Sequence, residues 1–278
     1  MIPESMPLIK ETRVDKLIAS LKCIANNAFD RYQQRDCILQ LYPGKSEKSV
    51  FRGMIVTSLR HMGLILGYEG ALRISANARI IIESNCMESE LKMACLRAVM
   101  YEIDQTKFNL IGKLTDSGVT TQDLISLLAS SQRLQPARMK ERVLSWLSIL
   151  NQVKLIDNVL PKVIANKNNI DQTNHILDAS RIDQNLFTST LFEQYNRLGR
   201  NTAGIVDITD LRSEVSSIFL NRNSIILSEN MFDIVLRSVP ISTPSYLISF
   251  GRSMGAEEKL FRIQQNYYRT ISISFLKE

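Results

Sequence analysis

A chain of 278 residues, 45% hydrophobic and 22% charged, has room for two or three small domains and the composition of a folded soluble protein. No apolar stretch approaches bilayer length and Met-Ile-Pro-Glu-Ser does not read as a signal peptide, so neither a membrane partner nor secretion is expected, and a cytoplasmic location is. The net charge of +6 and pI of about 9.1 favour a polyanionic partner while saying nothing about fold.

Residues 1–12 are polar, carry two prolines and read as an extended arm. From Val14 through Leu17, Ile18, Leu21 and Ile24 the apolar spacing predicts a first helix over 13–30. Asp36 to Leu41 is a short second helix, and Pro43-Gly44 a turn. Ser46 is an N-cap candidate for a third helix from Glu47 to Met62, with Phe51, Ile55, Ser58, Leu59 and Met62 on one face. Gly63 closes it, where a left-handed residue is needed. Leu64–Leu66 and Leu72–Ser75 form a hairpin with its tip at Gly67–Gly70, followed by a short helix over 77–83.

A second unit opens at Ser89, with a helix over 90–104, a helix start at Thr120–Leu124, a turn at Gln135-Pro136, and a helix from Arg138 to Gln152. Its hairpin turns at Asp157-Asn158 between Leu155-Ile156 and Val159-Leu160. Residues 166–175 are polar and unpatterned and read as a boundary. Beyond it, 210–220 and 229–239 are helical, Pro240–Pro244 is a break and Ile271–Phe275 alternates as a closing strand.

One phrase occurs twice. Residues 50–65 match 141–156 at a constant offset of 91 (155 − 64), so that Ile55, Val56, Leu59, Met62, Leu64 and Ile65 fall on Trp146, Leu147, Leu150, Val153, Leu155 and Ile156. Each copy is an amphipathic helix that stops in a short turn and enters an apolar strand, as the third helix of a winged helix-turn-helix enters its wing. The expected fold is mainly α with small β-hairpins: tandem winged helix-turn-helix units plus a C-terminal mostly helical part. The domains are 1–86, 87–168 and 169–278, the last with a third, degenerate winged helix as an alternative.

A helix in the major groove presents its outer face to base edges, mostly through its N-terminal half. In the first unit that face holds Lys45, Lys48, Ser49 and Arg52; in the second, Arg138, Lys140, Glu141, Arg142 and Ser145. Arginine forks match guanine, and Glu141 can accept from a cytosine amino group or pair with a neighbouring arginine. Lys10 and Arg13 are placed to enter the minor groove as an arm, and Arg73 and Arg79 to meet phosphates. Tyr267-Tyr268-Arg269 is a candidate stacking group, with core and rim as the alternative.

Cys23, Cys37, Cys86 and Cys95 lack Cys-x-x-Cys spacing and have only His61 and His175 to help them, so buried free thiols are expected and no metal site. No catalytic triad, phosphate loop or dinucleotide loop is present. Glu90-Leu91-Lys92 and Glu257-Glu258-Lys259 have nuclease-like spacing but helix-favouring surroundings.

The two helix ends, 59–65 and 150–156, with Arg73–Ala78 after the first hairpin, resemble the DNA-recognition region of type IIS restriction endonucleases of the FokI-like group, over about residues 13–165. The resemblance implies a recognition fragment that binds an asymmetric double-stranded site as a monomer. It needs no cofactor in this chain, and divalent metal such as Mg belongs to a separate nuclease domain of a longer protein. The alternatives are a winged-helix transcriptional regulator and a winged-helix protein-interaction scaffold.

Overall fold

The computed structural model describes residues 6–28, 30–67, 72–114, 118–132, 134–159, 162–200, 202–252 and 260–276. Helices dominate and the sheets are small and antiparallel, in agreement with the expected class. The chain divides into two compact units, one of residues up to Ile74 with Ser84–His175, the other of Ser75–Glu83 with Ile176 onward.

The first unit opens on a segment that is not a free arm over residues 6–13. Met6 and Ile9 are buried, and their apolar side chains hold this run against the body of the unit. Its backbone is tied down as well: Lys10 and Glu11 N–H donate to Ser58 Oγ at 2.9 and 3.2 Å, and Met6 N–H to Gln132 Oε1 at 2.7 Å. Helix α1 (Val14–Asn26) buries Leu17, Ile18, Leu21 and Ile24, as its spacing predicts. Helix α2 (Arg31–Gln40) starts five residues before the expected Asp36, because Asp30 caps it by accepting from Gln33 N–H. A Cys23–Cys37 disulfide joins α1 to α2, which corrects the expectation of four free thiols: the helix packing brings together two cysteines 14 apart, a pairing that no local motif announces. Cys86 is free and exposed; Cys95 is free and buried.

Helix α3 is wound as a π-helix over Lys48–Val56 and as an α-helix over Thr57–His61. The wider turn has a local cause. The Lys48 carbonyl lies 3.1 Å from where a Cβ on Gly53 would sit, so a glycine five residues on leaves it room. Thr57 Oγ1 donates to the Arg52 carbonyl at 2.7 Å, again five residues back. The expected inner face, Phe51, Ile55, Ser58, Leu59 and Met62, is buried throughout. Strands β1 (Ile65–Leu66) and β2 (Arg73–Ile74) pair antiparallel; the expected hairpin tip at 68–70 lies outside the described residues. Buried Gln34 on α2 fixes this hairpin: Leu72 N–H donates to its Oε1 at 3.0 Å and its Nε2 donates to the Leu72 carbonyl at 2.8 Å.

The second half of this unit runs α5 (Ser89–Ile103), β3 (Val119–Thr120), α6 (Thr121–Gln132), α7 (Pro136–Gln152), β4 (Ile156–Val159) and β5 (Lys162–Ala165), with strand order β3-β5-β4. The short helix α4 (Ala76–Ser84) precedes α5 and belongs to the other unit up to Glu83. Thr120 Oγ1 accepts from Asp123 N–H and donates to Asp123 Oδ2, a side-chain cap that starts α6 where the sequence predicts it. Asp157 and Asn158 do not form the turn. They pair with Ile164 and Val163 inside the ladder, and the connection falls on 160–161, outside the described residues, as does the expected Leu160. The polar run read as a boundary is helix α8 (Lys167–Ile176), capped by Asn166 Oδ1 accepting from Asn169 N–H, with Thr173 turned inward.

The core of this half is built round Trp146, which is fully buried, stacks on Phe108 at 4.0 Å and donates from Nε1 to Asp104 Oδ1 at 2.7 Å. Asp104 also accepts from Leu110 and Ile111 N–H at 3.1 and 3.0 Å. Burial pushes the Asp104 carboxyl above its ordinary range in spite of these donors.

The other unit holds α9 (Gln184–Gly199), β6 (Val206–Asp207), α10 (Ile208–Asn223), α11 (Glu229–Ser238), β7 (Tyr246–Arg252), β8 (Phe261–Ile263) and β9 (Asn266–Phe275). Its sheet runs β6-β9-β7, with β8 on β9. The C-terminal part is therefore less helical than expected. Ile248, Ile271 and Ile273 bury one sheet face against Phe187, Phe219 and Phe232, while serines alternate on the other. Helix, short strand, two helices and a long hairpin thus recur here in the order of β3 to β5, with the first strand again beside the last.

Candidate nucleic-acid interface

The two copied helices end in the same hydrogen bonds. Gly63 N–H donates to the Arg60 carbonyl and Leu64 N–H to Leu59, both at 2.8 Å; Lys154 donates to Asn151 and Leu155 to Leu150, both at 3.0 Å. Every one of these pairs is related by 91 positions. Gly63 and Lys154 both take positive φ, 69° and 59°. The sequence repeat is therefore a structural repeat at the helix ends, while the N-terminal halves differ: α3 is π-wound there, and the exposed Lys48 and Arg52 fall on the buried Met139 and Val143 of α7.

On α3, Lys48, Ser49 and Arg52 are exposed, as is Lys45 just before it. On α7, Arg138, Lys140 and Glu141 are exposed. Among the described residues no ion pair engages Lys48, Arg52, Arg138 or Lys140, and Glu141 is not bridged to Arg138 or Arg142. Arg142 is different. It is half-buried and donates to the Met6 carbonyl, so its guanidinium holds the N-terminal segment. Ser145 is half-buried and donates to the Arg142 carbonyl at 2.8 Å.

Arg13 is also committed. It forms a two-pronged pair with Glu11, at 3.0 and 2.8 Å, and lies 5.6 Å over the Tyr42 ring. Burial raises the Glu11 carboxyl, but the bonds from Arg13 and from Tyr42 Oη (2.7 Å) outweigh it and hold it below the ordinary carboxylate range. Lys10 is exposed although its backbone is pinned. Lys16 and Lys45 join Arg13 round Tyr42, at 5.7 and 6.0 Å. The sequence reading did not select Lys16; its position three residues after Arg13 on α1 was the available signal. Nor did it select Leu144, an apolar side chain 43% exposed on the outer face of α7.

Arg73 is half-buried in β2, opposite Leu66. Arg79 meets Glu83 at 2.8 Å and Glu214 at 2.5 Å rather than presenting a free cation. Tyr268 packs on Phe250 and is half-buried, Arg269 is exposed but pairs with Asp207 at 3.3 Å, and Tyr267 is exposed. Glu90 and Lys92 lie in the first turn of α5, and 257–259 are outside the described residues.

Charge separates the units. The first carries 22 Lys and Arg against 16 Asp and Glu, a net of +6; the second carries 12 against 12. The helix of the second unit that corresponds to α3 and α7 is α11, and it begins with Glu229 and Asp233, the latter paired with fully buried Arg212 at 2.7 Å. No family model, curated protein or solved structure matches this chain.

Proposed function

We propose that the first unit is a sequence-specific double-stranded DNA-binding module made of two winged helix-turn-helix units, with α3 and α7 entering the major groove. Two helices followed by a hairpin, with β3 beside β5, is the order of a winged helix, and the first copy has the same order without the first strand. The observation that carries the reading is that both helices expose cations near their N-terminal ends, Lys48 and Arg52 on α3 and Arg138 and Lys140 on α7, without ion pairs among the described residues, in the unit that holds all the net charge. Lys10 and Lys45 are the phosphate-anchoring candidates, whereas the half-buried Lys16 ammonium donates to the Leu41 carbonyl at 3.2 Å. Arg13, Arg142 and Arg79 are not assigned to DNA, since their guanidinium groups serve the fold. The mechanism is binding alone: steering by charge, phosphate anchoring, then base readout.

The neutral net charge of the second unit argues against DNA contact by its corresponding helix. Within the proposal, a monomer on an asymmetric site fits the recognition fragment of a restriction endonuclease, and a dimer on a palindrome fits a regulator. The test is selection from a random-duplex library, followed by anisotropy titration of the selected site over a salt series. Arg52→Ala is expected to weaken binding by about 1–3 kcal/mol at one base pair if its fork reads guanine, and uniformly on all sequences if it anchors phosphate. Absence of binding to any duplex at low salt overturns the reading.

A further inference from the structure

A cleft of about 480 Å3 lies along α1, between it, α5 and the end of α7, wholly inside the first unit. That volume falls within the roughly 300–1,000 Å3 of small-molecule sites. Ile18, Leu96 and Val153 form an apolar floor, each buried in the fold. Two cations, Lys22 from α1 and Lys92 from α5, line the same cleft, both half-buried. Among the described residues neither makes an ion pair, and Asp15 is the single carboxylate among the lining residues. Two ammonium groups and one carboxylate leave a net single positive charge above an apolar floor.

We propose that this cleft binds a small amphipathic monoanion: a carboxylate head held by Lys22 and Lys92, with a hydrocarbon tail on Ile18, Leu96 and Val153. Burial of the tail supplies the driving force, and the two ammonium donors fix the head by charge-assisted hydrogen bonds. A neutral occupant leaves two half-desolvated cations without a partner, and an inorganic anion leaves the floor wet. Both halves of the repeat contribute walls, α1 from the first copy and α5 and α7 from the second, so the occupant touches the seam between them. The proposal stands apart from DNA binding and needs no duplex for its test.

Met93 lines the cleft and provides the reporter. In the full chain labelled with methyl-13C methionine, and with the Met93 signal assigned through Met93→Leu, octanoate is expected to shift that signal saturably. Octanol is expected to bind about tenfold more weakly, inorganic phosphate to leave the signal in place, and K22Q/K92Q to weaken octanoate at least tenfold. Ala19→Phe, which fills the cleft and keeps both lysines, is expected to abolish the shift; it serves if the double variant does not fold, which Trp146 fluorescence reports. An unmoved Met93 signal, equal binding of octanol, an equal shift with phosphate, or octanoate binding retained in Ala19→Phe overturns the proposal.

Discussion

If Gly63 and Lys154 occupy the same turn of two copies, exchanging their chemistry should move stability in opposite directions. Lys154 holds φ at +59°, where an L side chain costs about 1–2 kcal/mol through the approach of Cβ to the following carbonyl oxygen. Replacing it by glycine removes that cost and adds about 0.5–1 kcal/mol of unfolded-chain entropy. The net expectation for Lys154→Gly is a gain of about 0.5–1 kcal/mol. The side chain is exposed and makes no ion pair among the described residues, and its carbonyl, which accepts from Asn169 Nδ2 at 2.6 Å, is kept. Gly63→Ala imposes the side-chain penalty at the matched site and should cost about 1 kcal/mol. Trp146 is the one tryptophan of the chain and lies in this unit, so its fluorescence follows unfolding of the first unit alone. Urea titration at that signal should show the midpoint rising for Lys154→Gly and falling for Gly63→Ala, with slopes unchanged. A fall or no change for Lys154→Gly would mean that the left-handed turn is not the source of the cost, and the structural equivalence of the two helix ends would lose its energetic support.

Trp146→Phe should cost about 1–3 kcal/mol by removing a donor from buried Asp104, measured by circular dichroism. The Asp104 pKa already stands above its unfolded value, so its contribution to stability is full below the unfolded pKa and is lost as pH rises through the folded one. Loss of the tryptophan bond should raise that pKa further and shift this loss to higher pH, which carboxyl 13C titration reads directly. Gln34→Ala should strip both partners from the Leu72 backbone and loosen the first hairpin, seen as faster hydrogen exchange at Leu72 N–H; unchanged protection there would refute the role of Gln34.

What the sequence made legible was what is local. The inner face of α3, the start of α6, Gly63 as a helix stop and the 91-residue repeat all follow from spacing and turn chemistry within a few residues. What it hid is long-range. The Cys23–Cys37 link, Gln34 on Leu72 and Asp104 beneath Trp146 join residues 14, 38 and 42 positions apart with no periodic signature. Helix α8 was lost because its polar run carries few apolar residues, and only Asn166 and the inward Thr173 mark it.

Arg142 shows the limit at the site itself. A cation on a helix whose neighbours face outward reads as a surface group, yet a half-turned side chain beside the Met6 carbonyl becomes a clamp on the N-terminal segment. The third occurrence of the helix and hairpin order was hidden for a related reason. Its α11 leaves through Val239-Pro240 in extended backbone, where α3 and α7 leave through a left-handed residue, so the phrase that identifies the other two copies is missing. Shared strand order with different net charge is then the informative contrast. One arrangement, used where the unit is net positive and used again where it is neutral, ties the expected DNA contact to side chains on two particular helices and not to the fold.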